Sequence, residues 1–254
     1  MRIITDFDGP IMDLSDRYYH VYQLCLAQVK LPRQAINILA KAEFWERKRA
    51  RVSELQIGIE SGLTPTQAEI FKQLRDHHAH QLQYLHLDRV VPDAIAALTQ
   101  IQAAGIELLV MTLRRTSELN AALIQYDLGR FFLPHCRYCL ADDHDKQGDI
   151  QDKVNLMARS IAELGSVPNT WMVGDTEADI IAAQTHNIKV IGVLSGIRDL
   201  DRLEQYQPDK IVASLSAAAQ LIRYQTKIHQ CCRVTQICEE IHQKSSQTIR
   251  SIVW

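Results

Sequence analysis

Four aspartates occur as two closely spaced pairs. Asp6 and Asp8 lie in the run Asp6-Phe-Asp-Gly, and Asp175 and Asp179 lie in Gly174-Asp-Thr-Glu-Ala-Asp. Carboxylates that approach one another repel unless a cation lies among them. Carboxylate oxygens without histidine or thiolate suit Mg²⁺, which proteins commonly hold with one or two carboxylates and a substrate phosphate. If the two pairs meet in space, they predict a magnesium site for a phosphorylated ligand.

A hydroxyl residue and a lysine could complete a phosphate site. A phosphoryl group needs donors and positive charge around its oxygen atoms. Thr112 could give a hydroxyl, Lys153 a point charge, and the backbone amides of turns further donors. Lys146 is an alternative to Lys153. We prefer Lys153, because Asp152-Lys153 is predicted to open a helix whereas Lys146 lies in a polar loop.

Each group of candidates follows a short apolar segment of strand length. In chain order these are residues 2–5 before Asp6, 106–111 before Thr112, and 170–173 before Gly174-Asp175. In an open parallel sheet, the ligand crevice lies at the carboxyl ends of the strands. Residues that are far apart in sequence are therefore expected to meet at one edge of a sheet.

From Pro92 onward, helical and extended patterns alternate. The spacing of apolar residues predicts helices over 93–104, 117–126, 152–164 and 177–185. Apolar runs predict strands at 106–111, 138–140, 170–173, 189–194 and 211–212. Because the longer of these strands are apolar without interruption, they favour a parallel sheet covered by helices on both faces. The expected fold class is therefore α/β.

Residues 15–91 read as helical throughout. Apolar residues recur at helical spacing from Tyr18 onward and again over 71–85. The run Gly62-Leu-Thr-Pro indicates a helix end, followed by an N-cap at Thr64 with proline at the first helical position. No strand is expected in this stretch.

These patterns divide the chain into three parts. Residues 1–14 and 92–227 are expected to form the core, and residues 15–91 an inserted helical domain. Residues 228–254 are expected to form a C-terminal helical extension.

The charge composition indicates which kind of binding partner to expect. With 28 basic and 30 acidic residues the net charge is -2, so no global field favours nucleic acid or an anionic membrane. A small-molecule partner is the better expectation, and an oligomeric state is not indicated. Charge interrupts the apolar run at the start of the chain, and no stretch approaches ~18 consecutive apolar residues. We therefore expect a cytoplasmic protein.

Taken together, the motifs resemble those of the haloacid dehalogenase-like (HAD) hydrolase superfamily. The resemblance rests on Asp6-Phe-Asp-Gly, Thr112, a downstream lysine and the Gly174-to-Asp179 run, in that order. It covers residues 1 to about 195, and the helical stretch lies where the family inserts its first type of cap. It implies a Rossmann-like parallel core with an all-helical cap after the first strand, similar to phosphoglycolate phosphatases.

The resemblance also implies roles for individual residues. Asp6 would be the nucleophile that forms an aspartyl-phosphate, and Asp8 the general acid and base. Mg²⁺ would be held by Asp6, the backbone carbonyl of Asp8 and Asp175, with Asp179 close by. The phosphate-binding positions would be Thr112, Leu113 and Lys153. The implied reaction is hydrolysis of a small phosphorylated metabolite.

Some positions depart from the family pattern. Pro10 stands where threonine or valine is usual, and Leu113-Arg114 where a small polar residue is common. These departures leave open a binding protein without catalysis, and a phosphomutase resembling β-phosphoglucomutase stays open because it shares the same motifs. Dehalogenation is disfavoured because Asp8 is present. Phosphonate hydrolysis would need a cap lysine that forms a Schiff base, and no local feature marks Lys41, Lys48 or Lys72 as desolvated.

Overall fold

A computed structural model describes residues 1–224, and within them six parallel strands form one sheet. These strands and a further two-stranded pair are β1 (Arg2–Thr5), β2 (Met12–Asp13), β3 (Arg89–Val90), β4 (Glu107–Arg115), β5 (Arg137–Leu140), β6 (Thr170–Gly174), β7 (Lys189–Val193) and β8 (Lys210–Val212). The sheet order is β5-β4-β1-β6-β7-β8. This confirms the α/β prediction, whereas the extension expected at 228–254 lies outside the described residues.

Helices cover both faces of the sheet. They are α1 (Ser15–Val29), α2 (Lys41–Arg49), α3 (Glu54–Glu60), α4 (Pro65–His78), α5 (Ala94–Ala103), α6 (Thr116–Gln125), α7 (Asp149–Leu164), α8 (Glu177–Thr185) and α9 (Leu200–Glu204), and residues 215–224 are also helical. Along residues 1–224, no helix has the length and apolar character needed to cross a bilayer.

The alternation of side chains along β1 explains why an apolar cluster lies on each face of the sheet. Ile3 packs with α5, α6 and the 215–224 helix, whereas Ile4 packs with α7, α8 and α9 on the opposite face. Successive side chains of a strand point to opposite sides, so an apolar run buries both faces at once.

Two predicted boundaries next to the candidate site were wrong. Strand β4 continues to Arg115, and its pairing with β5 is irregular between Met111 and Arg115, so Thr112 lies within the strand rather than after it. Helix α7 begins at Asp149, three residues before the predicted start, so Lys153 lies in its second turn. Polar residues at a strand end and a helix start carry little periodicity, and such boundaries are decided by packing.

Residues 15–91, here called the helical insert, contain α1 to α4 around their own apolar cluster. The helix predicted over 71–85 is interrupted, since α4 ends at His78 and a 3₁₀ helix spans Leu82–Leu87. The expectation of no strand was also wrong, because β3 pairs antiparallel with β2 where the chain enters and leaves the insert. A two-residue strand is too short to give a sequence pattern.

The insert rests on the carboxyl-end loops of the core. Arg51 lies 3.1 Å from Glu177, and the Arg202 guanidinium donates to the carbonyl of Ala50 at 2.9 Å. The amide of Asp199 also donates to the carbonyl of Arg49. The end of α2 is thereby fixed above the edge of the sheet where the candidate residues gather.

The N-cap of α4 gives a test of the insert. The Thr64 hydroxyl accepts from the Gln67 amide at 3.3 Å, and the Gln67 side chain accepts from the Thr64 amide at 2.9 Å. We expect Thr64→Ala to lower the free energy of unfolding by about 1 kcal/mol, measured by urea denaturation. Thr66→Ala, on the exposed first turn, is the control and should stay within about 0.5 kcal/mol of the parent. Equal effects of the two changes would contradict the capping role.

Candidate active site

A cavity of about 410 Å³ opens at the carboxyl ends of β1, β4 and β6. Asp6 follows β1, Thr112 lies on β4, and Asp175 follows β6, so the convergence expected from the sequence is present in the structure. The insert contributes Tyr18 and Trp45 to the opposite side of the cavity. The cavity thus lies between the sheet edge and the helical insert.

Three carboxylates form a buried cluster, and two of them, Asp6 and Asp175, line this cavity. Asp6, Asp175 and Asp179 each offer one oxygen atom, and these three atoms lie within 4.8 Å of one another. Within residues 1–224, this is the group of side chains that could hold a metal ion. The side chain of Asp8 is not part of the cluster, and its predicted contribution to a metal site was through its backbone carbonyl.

Lys153 lies between two of these carboxylates. Its Nζ atom is 2.9 Å from Asp6 Oδ2 and 2.8 Å from Asp179 Oδ1, and the side chain is buried. Burial alone would lower the pKa of Lys153, but the charges of Asp179 and Asp6 outweigh it and raise that pKa. Lys146 also lines the cavity but is half-exposed and paired with Asp149 at 2.7 Å. The geometry therefore favours Lys153 as the lysine of the site.

Asp175 is enclosed by backbone. The amide of Ile197 donates to Asp175 Oδ2 at 2.6 Å. A Cβ atom at Gly9 would lie 2.2 Å from the Asp175 carboxyl carbon, and one at Gly196 would lie 1.9 Å from Asp175 Oδ2. Gly9 also has φ +88, which L side chains rarely adopt. Glycine at both positions leaves the space that this carboxylate occupies.

Asp179 is held by the turn before α8. Its Oδ2 atom accepts from the amides of Asp175 and Thr176 at 3.2 and 3.1 Å, and from the Thr176 hydroxyl at 2.8 Å. Its other oxygen faces Lys153. With both oxygens engaged, Asp179 acts as the anchor of Lys153 and of this turn, and is less available to a metal than Asp6 and Asp175.

The electrostatics of the cluster fit a divalent cation. Burial and the charge of Asp179 raise the pKa of Asp6, and Lys153 only partly opposes them. Burial and the charge of Asp179 also raise the pKa of Asp175 to about 7. One lysine therefore does not neutralise three carboxylates, and the donor set is oxygen only, as Mg²⁺ prefers. Asp6 and Asp175 are the side chains that would hold the ion.

Asp8 has a different environment from Asp6. Nε of Arg114 donates to Asp8 Oδ1 and Oδ2 at 2.9 and 3.1 Å, and a terminal nitrogen of Arg114 donates to Oδ1 at 2.6 Å. Burial would raise the pKa of Asp8, but the charge and hydrogen bonds of Arg114 outweigh it and the pKa is lowered. Asp8 is thus an ionised carboxylate clamped by a guanidinium.

The predicted phosphate positions lie along one wall. Thr112 is buried at the cavity, and its hydroxyl oxygen accepts from the amide of Arg114 at 3.1 Å, which leaves the hydroxyl proton free to point toward a ligand. Leu113 lines the cavity while packing on the core. The turn at Pro10 closes through the amides of Gly9, Ile11 and Met12, so the missing amide of the proline breaks no hydrogen bond of this turn.

Sequence reasoning missed several residues of the site. Arg114 was noted only as a departure from the family pattern, and Asp88, which binds it, was not noted at all. The loop after β7 was also missed, although Ser195-Gly196 follows a predicted strand and could have been found by its position. Lys48 lines the cavity and is partly buried, and this burial lowers its pKa with Glu54 opposing, a property that no local feature of the sequence had marked.

Gly196 provides a test of the cation site. In Gly196→Ala the new methyl group would overlap the Asp175 carboxylate, so we expect Mg²⁺ affinity to fall about tenfold or more in a calorimetric titration. Gly129→Ala is the matched control, because a Cβ atom there would approach no atom closer than 3.6 Å. Unchanged Mg²⁺ affinity in Gly196→Ala would exclude Asp175 as a ligand.

A family model described as HAD-hydrolase-like matches residues 153–218, the part of the chain that carries Lys153, Asp175 and Asp179. No curated protein matches the chain.

Three solved structures illustrate the likeness in fold. A HAD-like family hydrolase from Streptococcus pneumoniae is 16% identical, with a TM-score of 0.64 over 87% of this chain and 97% of that one. A predicted phosphoglycolate phosphatase from Haemophilus somnus is 18% identical, with a TM-score of 0.60 over 87% and 96%. A candidate β-phosphoglucomutase from Thermotoga maritima is 18% identical, with a TM-score of 0.60 over 88% and 99%. The chain is therefore similar to HAD-like hydrolases in sequence over residues 153–218, and it shares its fold with these solved structures.

Proposed function

We propose that the protein is a Mg²⁺-dependent phosphomonoester hydrolase that works through an aspartyl-phosphate on Asp6. The observation that carries this proposal is the position of Asp6 at the end of β1, beside Asp175 and Lys153 and facing the cavity. A carboxylate nucleophile needs positive charge nearby to hold it ionised and to balance the charge of the phosphoryl group. Lys153 supplies part of that charge.

The first step transfers the phosphoryl group to the protein. A carboxylate oxygen of Asp6 attacks phosphorus and forms a new P–O bond, while the P–O bond to the leaving alcohol breaks. Asp8, in its protonated form, gives its proton to the departing oxygen, which leaves as the neutral alcohol. Lys153 and the Thr112 hydroxyl bind phosphoryl oxygens, because both face the cavity next to Asp6.

The second step returns Asp6 to its starting state. A water molecule attacks phosphorus and gives a proton to the carboxylate of Asp8, and the P–O bond to Asp6 breaks to release inorganic phosphate. Asp8 regains in this step the proton that it lost in the first. The pairing with Arg114 favours ionised Asp8, the form that accepts this proton.

Mg²⁺ held by Asp6 and Asp175, with the backbone carbonyl of Asp8 as the expected third ligand, would supply the remaining positive charge for the phosphoryl oxygens. The raised pKa values of Asp6 and Asp175, which nearby basic groups only partly oppose, support this assignment.

The cavity supports a small substrate. About 410 Å³ fits a phosphorylated metabolite. The name of the Haemophilus somnus protein, a predicted phosphoglycolate phosphatase, points to the same class. The net charge of -2 supports neither a nucleic acid nor a membrane as partner, and the small-molecule assignment stays part of the proposal.

A phosphomutase is the second candidate function, favoured by the likeness in fold to the Thermotoga maritima protein. Both reactions would use Asp6 and Asp8 in the same first step. Isomerisation of a sugar phosphate that depends on a bisphosphate primer would identify the mutase, whereas release of inorganic phosphate without a primer identifies the hydrolase.

The nucleophile is tested by Asp6→Asn. With a panel of phosphorylated metabolites and Mg²⁺, we expect the parent protein to release phosphate and Asp6→Asn to lose roughly 10³-fold or more of that activity. Asp76→Asn, on the exposed face of α4, is the control and should match the parent. Full activity of Asp6→Asn would exclude the mechanism, and Mg²⁺ binding without turnover on any substrate would favour a binding protein.

A pair of lysine variants decides between Lys153 and Lys146. Lys153→Met leaves two buried carboxylates unpaired, so we expect loss of phosphate release and a fall in the free energy of unfolding of about 3 kcal/mol or more. Lys146→Met removes a half-exposed pair and should change that free energy by less than about 1 kcal/mol. Turnover and urea denaturation measure both effects. The reverse ranking of the two variants would assign the phosphate-binding role to Lys146.

A further inference from the structure

The carboxylate of Asp8 is held on both oxygens by one guanidinium. Arg114 makes three hydrogen bonds to it, between 2.6 and 3.1 Å, and its guanidinium carbon lies 5.0 Å from the centre of the Phe7 ring. The Arg114 side chain is only 4% exposed. A bidentate pair of this kind has a defined plane, so the direction of the Asp8 carboxylate follows that of Arg114.

Arg114 is itself oriented by Asp88. A terminal nitrogen of Arg114 lies 2.5 Å from Asp88 Oδ2, and Nε of Arg17 lies 2.8 Å from Asp88 Oδ1. Asp88 is fully buried, and Arg17 in turn donates to the carbonyl of Ala79 at 2.9 Å. The Tyr126 hydroxyl donates to the backbone carbonyl of Asp88 at 2.5 Å. Side chain and backbone of Asp88 are therefore both fixed.

Four charged side chains of alternating sign form successive ion pairs from the insert to the cavity, in the order Arg17, Asp88, Arg114 and Asp8. Arg17 lies in the first turn of α1, Asp88 precedes β3 at the other end of the insert, and Arg114 belongs to β4 of the core. Buried ions of opposite charge orient one another strongly, because the loss of one leaves its partner uncompensated. These ion pairs thus link both ends of the insert to Asp8.

We propose that Asp88 is a positioning residue, which fixes the direction of the Asp8 carboxylate through Arg114 and ties it to both ends of the helical insert. This rests on the proposed role of Asp8 as general acid. Arg114 lines the cavity and could touch a substrate, whereas Asp88 is not among the described residues that line it. A substitution at Asp88 can therefore change the orientation of the Asp8 carboxylate without removing a contact to the substrate.

The test compares two substrates of similar shape that differ in their need for a proton. Phenoxide is a poor leaving group that needs protonation, whereas 2,4-dinitrophenoxide leaves without it. In Asp88→Asn we expect kcat/KM for phenyl phosphate to fall roughly tenfold or more, within the 10²–10⁴-fold that acid–base catalysis contributes. We expect kcat/KM for 2,4-dinitrophenyl phosphate to stay within about threefold, because this parameter excludes the later hydrolysis step.

Further variants serve as controls for the selective loss expected in Asp88→Asn. Asp8→Asn should show the same selectivity at larger size, and Asp88→Glu should recover part of the phenyl phosphate activity. Asp93, at the N-terminus of α5, accepts a hydrogen bond from the Ser214 hydroxyl at 2.6 Å and has no contact with Arg114 or Asp8 among the hydrogen bonds and ion pairs of residues 1–224. Asp93→Asn should therefore lower neither activity selectively. If Asp88→Asn does not fold, Arg17→Gln removes one partner of Asp88 and is measured with the same pair of substrates.

The outcomes separate this proposal from the one on which it rests. Equal loss on both substrates, or no loss on either, would overturn the positioning role while leaving the hydrolase intact. No phosphate release by the parent protein from either compound or from the metabolite panel would overturn the proposed function, and the role of Asp88 with it.

Discussion

Three buried carboxylates share one lysine, and much of the local structure follows from this crowding. Lys153 compensates Asp6 and Asp179, which leaves Asp175 dependent on the Ile197 amide. Glycines stand where any side chain would collide with these carboxylates. Burial of like charges is unfavourable unless a cation or hydrogen bonds offset it. The site is therefore built to hold negative charge that the protein alone does not neutralise.

The two aspartates of the first motif experience opposite fields although one residue separates them. Asp6 lies among other carboxylates, and its pKa is raised, whereas Arg114 lowers the pKa of Asp8. Environments that shift the pKa values of two carboxyl groups in opposite directions suit the two groups to different chemical roles. In the proposed mechanism, a cation near Asp6 would keep the nucleophile ionised, and the guanidinium beside Asp8 would favour the base that the second step needs. The protonated Asp8 of the first step is the less populated form at neutral pH.

Local pattern was enough for much of the fold. The helix over 177–185 was predicted with the bounds that the structure shows, and its acidic first turn favours a helix start at that point. The Thr64 cap was predicted for a similar reason, since both partners of the capping box lie within four residues. The pairing of β2 with β3 could not be predicted, because each strand has only two residues and the whole insert separates the two strands in sequence.

The sequence by itself predicted which side chains would gather at the candidate site. Asp6, Asp8 and Asp175 follow apolar strands and Thr112 lies near the end of another, and parallel strands bring their carboxyl ends to one edge. Only the tertiary structure decided what those side chains meet. The ion pairs of Lys153 with Asp6 and Asp179, and those of Arg114 with Asp8 and Asp88, are contacts between distant segments. Such contacts depend on packing and burial, which no local spacing encodes.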